Sequence, residues 1–156
     1  MKKLRIYVDT SVLGGCFDPE FAEWSNRLLD AFRRREFAPL LSAVTAAEVE
    51  QAPAAIRQIH NELVRIGSEV LLVSGEVRDL LRAYEARKIL GTNFRNDMLH
   101  IALATVAEAD ALVSWNFRHI VRLDRIRLFN SVNLELGYKQ LTICSPREVA
   151  PDETKD

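Results

Sequence analysis

Short apolar runs alternate with amphipathic stretches along this chain, and the alternation predicts its elements. Residues 4–8, Leu-Arg-Ile-Tyr-Val, are rich in β-branched and aromatic types and predict a buried strand that ends on Asp9. The pair Gly14-Gly15 breaks that pattern. Asp18-Pro19-Glu20 predicts a helix start, with Asp18 as cap and Pro19 at the first helical position. Phe21, Trp24, Leu28, Leu29 and Phe32 then recur at helical spacing. Residues 37–42 predict a second strand, with Pro39 placing it near an edge or at a strand start. Thr45-Ala46-Ala47-Glu48 reads as a capping box, in which Thr45 caps a helix and Glu48 lies in its first turn. Pro53 opens a further helix, expected to bury Ile56, Ile59, Leu63, Val64 and Ile66, that ends at Gly67.

The second half repeats the alternation. Residues 69–73 predict a strand, and Ser74 caps a helix running to about residue 90. The helix that begins near Asp97 carries Leu99, Ile101, Ala102, Leu103, Ala104 and Val106 and is apolar almost all round, as a buried helix is. Residues 111–114 predict a fourth strand, followed at once by Trp115-Asn116-Phe117-Arg118-His119. A helix over 123–137 and a strand over 141–144 complete the chain. Strands alternating with helices imply βαβ units, an α/β class and a mainly parallel sheet with right-handed crossovers. In such sheets ligands bind outside the carboxyl ends of the strands. Asp9, Glu48 and Asn116 all fall at or just past such ends, and one cleft can gather them. Asp9 also suits a plain turn or helix cap. Asp97 lies on a helix that leads into a strand, so its place depends on the tertiary fold.

Composition narrows the classes. A chain of 156 residues predicts one domain, taken as 1–150 with a flexible acidic tail over 151–156. It is 48% hydrophobic and 28% charged, an ordinary globular balance. The formal net charge of −1 gives no bulk basic signal for nucleic acid. Arg33-Arg34-Arg35, and Arg118, His119, Arg122, Arg125 and Arg127, form local basic clusters that suit either a solvated surface or phosphate contacts. Cys16 and Cys144 have no zinc or disulfide spacing and read as buried thiols of a reducing compartment. No leader or spanning run is visible, so a cytoplasmic location is expected.

Clustered carboxylates repel one another, and a hard divalent cation resolves the repulsion. Mg²⁺ or Mn²⁺ keeps waters, takes one or two carboxylates, and stabilises charge on a phosphoryl group. Phosphodiester hydrolysis is the chemistry this suggests. A small-molecule phosphotransferase fits less well, because Asp9-Thr10-Ser11 has no second carboxylate two residues on. There is no phosphate-cradling glycine loop. Ser11 and Ser42 have no base nearby in sequence, and His60, His100 and His119 lack zinc spacing. His100, within the apolar helix, reads as a packed or satisfied histidine.

Taken in order, Tyr7-Val8-Asp9-Thr10-Ser11, Glu48, Asp97-Met98-Leu99-His100-Ile101-Ala102-Leu103-Ala104 and Leu112-Val113-Ser114-Trp115-Asn116-Phe117 resemble the PIN domain, over roughly residues 4–149. The resemblance is to metal-dependent ribonucleases, many of them VapC-like toxins of type II toxin–antitoxin modules. It implies a three-layer α/β/α fold around a mainly parallel sheet. Asp9, Glu48 and Asp97 match the family's acidic metal ligands, which implies a Mg²⁺ or Mn²⁺ cofactor. Ser114 takes the threonine position, and Asn116 the acidic position, of the family's Thr-x-Asp after the fourth strand. The implied catalytic set is Asp9, Glu48, Asp97 and Asn116, with Thr10, Ser11, Ser114 and Arg118 positioning substrate or water. The implied partners are RNA, a small antitoxin and a second copy in a homodimer, with no membrane. An amide at 116 carries no charge, which leaves two readings. One is an active endoribonuclease with three carboxylates. The other is a PIN-fold RNA- or protein-binding module with reduced or lost cleavage.

Overall fold

The structure is a computed structural model, and it describes residues 2–152. Five strands, β1 (Leu4–Val8), β2 (Phe37–Ser42), β3 (Glu69–Leu71), β4 (Ala111–Val113) and β5 (Ile143–Cys144), form one sheet in the order β3-β2-β1-β4-β5. Every pairing is parallel, with Tyr7 opposite both Leu40 and Leu112. Strand β1 is therefore central. Its last three residues are fully buried because helices cover both faces.

Side chains alternate across the sheet and feed two cores. Ile6, Val8, Leu41, Ala111 and Val113 face α1 (Thr10–Gly15), α2 (Ala22–Arg33), α3 (Ala43–Glu50) and α4 (Ala54–Arg65). Tyr7, Leu40 and Leu112 face α5 (Gly75–Ala86), α6 (Arg95–Val106) and α7 (Leu123–Glu135). Burying a side chain such as Phe32 or Leu80 stabilises by about 1.5–3 kcal/mol. A short helix α8 (Pro146–Val149) closes the chain against α2. The three-layer α/β/α architecture with a parallel sheet is the one expected. Of the tail expected over 151–156, residues 153–156 lie outside the described residues.

Several local expectations are corrected. Gly14 and Gly15 do not break the chain but end helix α1, and a Cβ on Gly15 would come within 2.6–2.9 Å of Ser25 and the Trp115 ring. That glycine serves close packing rather than a turn. Asp18-Pro19-Glu20 is a turn, and α2 starts at Ala22 with the Phe21 backbone at its cap. The Asp18 side chain accepts from the Glu20 amide instead. The Thr45–Glu48 capping box does not form. Ser42 is the cap of α3 and accepts from the Thr45 amide at 3.3 Å, so Glu48 lies beyond the first turn and is free for other contacts. A capping box forms instead at α8, between Ser145 and Glu148. Pro39 sits in β2 before β3 begins opposite Leu40, where β2 has only β1 beside it. Among the described residues no helix is long and apolar enough to cross a membrane.

Candidate active site

The carboxyl edge of the sheet collects the acidic candidates because each crossover returns there. Asp9 follows β1 and occupies the cap position of α1 with an extended backbone, yet its side chain makes no cap hydrogen bond. Its two oxygens are instead clamped from both sides. Ser11 Oγ donates to Oδ1 at 2.6 Å, and Ser114 Oγ, at the end of β4, donates to Oδ2 at 2.6 Å. The serines are in turn fixed by the Trp115 amide on Ser11 Oγ (2.9 Å) and the Asn116 amide on Ser114 Oγ (2.9 Å). Only 5% of Asp9 remains exposed. Burial pushes its pKa above the usual carboxylate range. The His100 charge and the two serine hydrogen bonds offset the rise in part, and the nearby Glu48 charge adds to it.

Glu48 projects from the middle of α3. Thr10 Oγ1 donates to its Oε1 at 2.6 Å, and His100 Nε2 lies 3.0 Å from the same oxygen. Burial alone would raise this carboxyl. Hydrogen bonds from His100, Thr10 and Asn96, with the His100 charge, outweigh it and hold Glu48 below its usual range. Two neighbouring carboxyls are thus driven apart, one toward protonation and one toward ionisation.

Helix α6 feeds a parallel strand, so its N-terminal turn also lies at the carboxyl edge, and this brings Asp97 into the region. Asp97 Oδ2 lies 3.1 Å from His119 Nδ1, and the His119 ring packs on Phe94 with centroids 3.9 Å apart. The sequence shows His119 as a member of a basic cluster without zinc spacing, and its pairing with Asp97 emerges only from the fold. The Asn116 side-chain oxygen turns back on its own loop and accepts from the amides of Arg118 (3.2 Å) and His119 (3.0 Å). Arg118 is exposed beside it. From Trp115, an open cavity lined by Phe21, Trp24 and Phe117 continues toward α8.

The donor set is all hard oxygen: two carboxylates at the centre, hydroxyls around them and a third carboxylate on α6. That chemistry fits a cation of the Mg²⁺ type, which takes one or two carboxylates and completes its shell with water and phosphate. It does not resemble a self-sufficient cage. Among the described residues no three His, Cys, Asp or Glu side chains form a group able to hold a metal by themselves.

The fold is a three-layer α/β/α domain around a parallel sheet, with its acidic and hydroxyl side chains gathered at the strand ends. The fold is shared with a chain in the crystal structure of VapBC2 from Rickettsia felis, which was solved bound to a DNA fragment from their promoter. That match covers 91% of this chain and 98% of the other, with a TM-score of 0.58 and 13% sequence identity. No family model and no curated protein matches the chain.

Proposed function

We propose that this chain is a metal-dependent endoribonuclease that hydrolyses RNA phosphodiester bonds, and that it is the toxin of a type II toxin–antitoxin module. The observation that carries the reading is the buried Asp9 carboxyl at the end of the central strand, clamped by Ser11 and Ser114 and close to Glu48. A fold gains nothing by burying a carboxyl next to another one, so the arrangement fits a site kept for function. Asp9 and Glu48 would hold Mg²⁺ or Mn²⁺, with Asp97 contributing from α6. When bound, the ion supplies positive charge to the phosphoryl group and makes water nucleophilic near neutral pH. Ser11 and Ser114 keep Asp9 in one orientation, and Thr10 does the same for Glu48. Arg118, exposed past β4, would meet a phosphate of the RNA, which would make binding sensitive to salt. The shared fold with a VapBC2 chain supports an antitoxin partner, and a homodimer belongs to the same reading.

Cleavage of a fluorescent single-stranded RNA under titrated Mg²⁺ or Mn²⁺ tests this. Wild type should turn over in proportion to bound metal, and Asp9→Asn should lose about 10³-fold, or about 4 kcal/mol of transition-state stabilisation. Asp9→Asn cutting as fast as wild type sinks the mechanism. One observation favours a second reading, a binding module: the Asn116 oxygen is spent on backbone amides, so it adds no charge to the site. RNA binding without turnover at any metal concentration would select it.

A further inference from the structure

We infer that His100 is a positioning residue that locks the Glu48 carboxylate in the orientation in which it meets a divalent cation. The inference rests on the metal-dependent reading of this site. His100 lies one turn into α6 and is almost fully buried, with 3% of its side chain exposed. The sequence alone makes it a packed histidine of an apolar helix. The structure gives both of its nitrogens partners. Nε2 is 3.0 Å from Glu48 Oε1, and Nδ1 is 2.6 Å from the hydroxyl of Tyr7. Tyr7 is wholly buried in β1, and its hydroxyl is also 2.7 Å from Ser42 Oγ, the cap of α3.

Donor and acceptor roles follow from this chain of contacts. An ionised carboxylate only accepts, so His100 Nε2 carries a hydrogen and donates to Glu48. Nδ1 pairs with the Tyr7 hydroxyl in either ring state, donating to it from the charged ring and accepting from it in the neutral one, and Ser42 Oγ shares the Tyr7 oxygen. The path runs from the cap of α3 through the central strand to α6 and returns to Glu48 on α3. Every member is held by an element of the core, so the ring cannot turn without leaving a buried polar group unpaired. Thr10 and His100 both bond Oε1. They therefore fix the carboxylate by that oxygen, and Asn96 is a further hydrogen-bond partner of the same carboxylate. Supporting groups of this kind tune a ligand without touching the cation.

The test uses the full chain and Mn²⁺ itself, with free Mn²⁺ followed by electron paramagnetic resonance and RNA cleavage measured alongside. His100→Leu should weaken Mn²⁺ binding about 10–100-fold, the range for removing a ligand's supporting partner. His100→Gln, which can place an amide donor near the Nε2 position, should recover most of the loss. Tyr7→Phe removes only the hydroxyl that orients the ring and should weaken binding by a smaller factor, about threefold to tenfold. It carries the test if His100→Leu fails to fold. In a Glu48→Gln background, His100→Leu should cost nothing further, a coupling that a merely structural histidine does not show. Wild-type affinity in both His100→Leu and Tyr7→Phe overturns the inference and leaves the nuclease reading standing. A wild type that neither binds Mn²⁺ nor cleaves RNA overturns both.

Discussion

Among the described residues the carboxyl edge of the sheet carries two carboxylate–imidazole pairs of similar length that differ in what lies behind them. Glu48–His100 is 3.0 Å long, and its imidazole continues inward to Tyr7 and Ser42. Asp97–His119 is 3.1 Å long, and its imidazole ends on the face of Phe94 near solvent. His100 has 3% of its side chain exposed and His119 has 15%. The first pair is over-determined by three core elements. The second hangs on the start of α6 and a loop whose turn is held by Asn116. Equal distances therefore do not mean equal rigidity, and pre-organisation resides mainly on the Glu48 side.

The largest effect should separate the two pairs directly. Glu48→Gln is expected to lower metal-dependent cleavage about 10²–10³-fold, or about 3–4 kcal/mol, whereas Asp97→Asn should cost about tenfold. Single-turnover rates at saturating Mn²⁺ provide the measurement. Equal losses at the two positions would break the comparison, because the buried relay behind Glu48 would then confer no advantage.

The same contrast explains what could be read from the chain. Asp9 was legible because an apolar β-branched run that stops on a carboxylate marks a buried strand end, and the sheet register puts it at the centre. Glu48 was legible as a candidate from its place just past β2, while the capping-box reading of it was mistaken. Ser42 and Thr45 are both good caps three residues apart, and only the end of β2 decides that Ser42 caps α3. The histidine pairings were not legible. His100 meets Glu48 across 52 residues and His119 meets Asp97 across 22, and no local periodicity encodes such contacts. Tyr7 read correctly as core by its ring, while the role of its hydroxyl depends on α6 folding back over β1. Gly15 looked like a breaker because closeness to Trp115 is a tertiary fact.

A smaller effect concerns stability, and its sign follows from the opposed carboxyls. Asp9 has a folded pKa above its unfolded value, so the folded chain binds that proton more tightly and stability falls as pH rises through the window between the two. Glu48 is shifted down. Its contribution is present above its unfolded pKa and is lost as pH falls through the lower folded value. Asp9→Asn removes the first term and keeps groups that the Ser11 and Ser114 hydroxyls can pair. At pH 8 with chelator it should stabilise the fold by about 1–2 kcal/mol, a rise in Tm of roughly 2–8 °C. That gain should shrink as acid protonates Asp9 in the wild type. A mutant that melts below wild type at pH 8 would show that the buried carboxylate is comfortable where it is.

The smallest effect bears on the loop that supports the weaker pair. Asn116→Ala removes one acceptor from two backbone amides, which should cost about 1 kcal/mol in chemical denaturation and loosen His119 against Asp97. Asn116→Asp is the sharper variant, because it restores the carboxylate that the PIN resemblance leads one to expect there. Aspartate accepts from the same two amides as readily as asparagine, and such turns favour both residues. Its oxygen should therefore stay turned onto the loop, and Mn²⁺ affinity should change by no more than about twofold, or about 0.4 kcal/mol. A tenfold gain would mean that the loop yields its acceptor to a cation. Residue 116 would then belong to the site, and the Asp97 side would be less rigid still than its one imidazole contact implies.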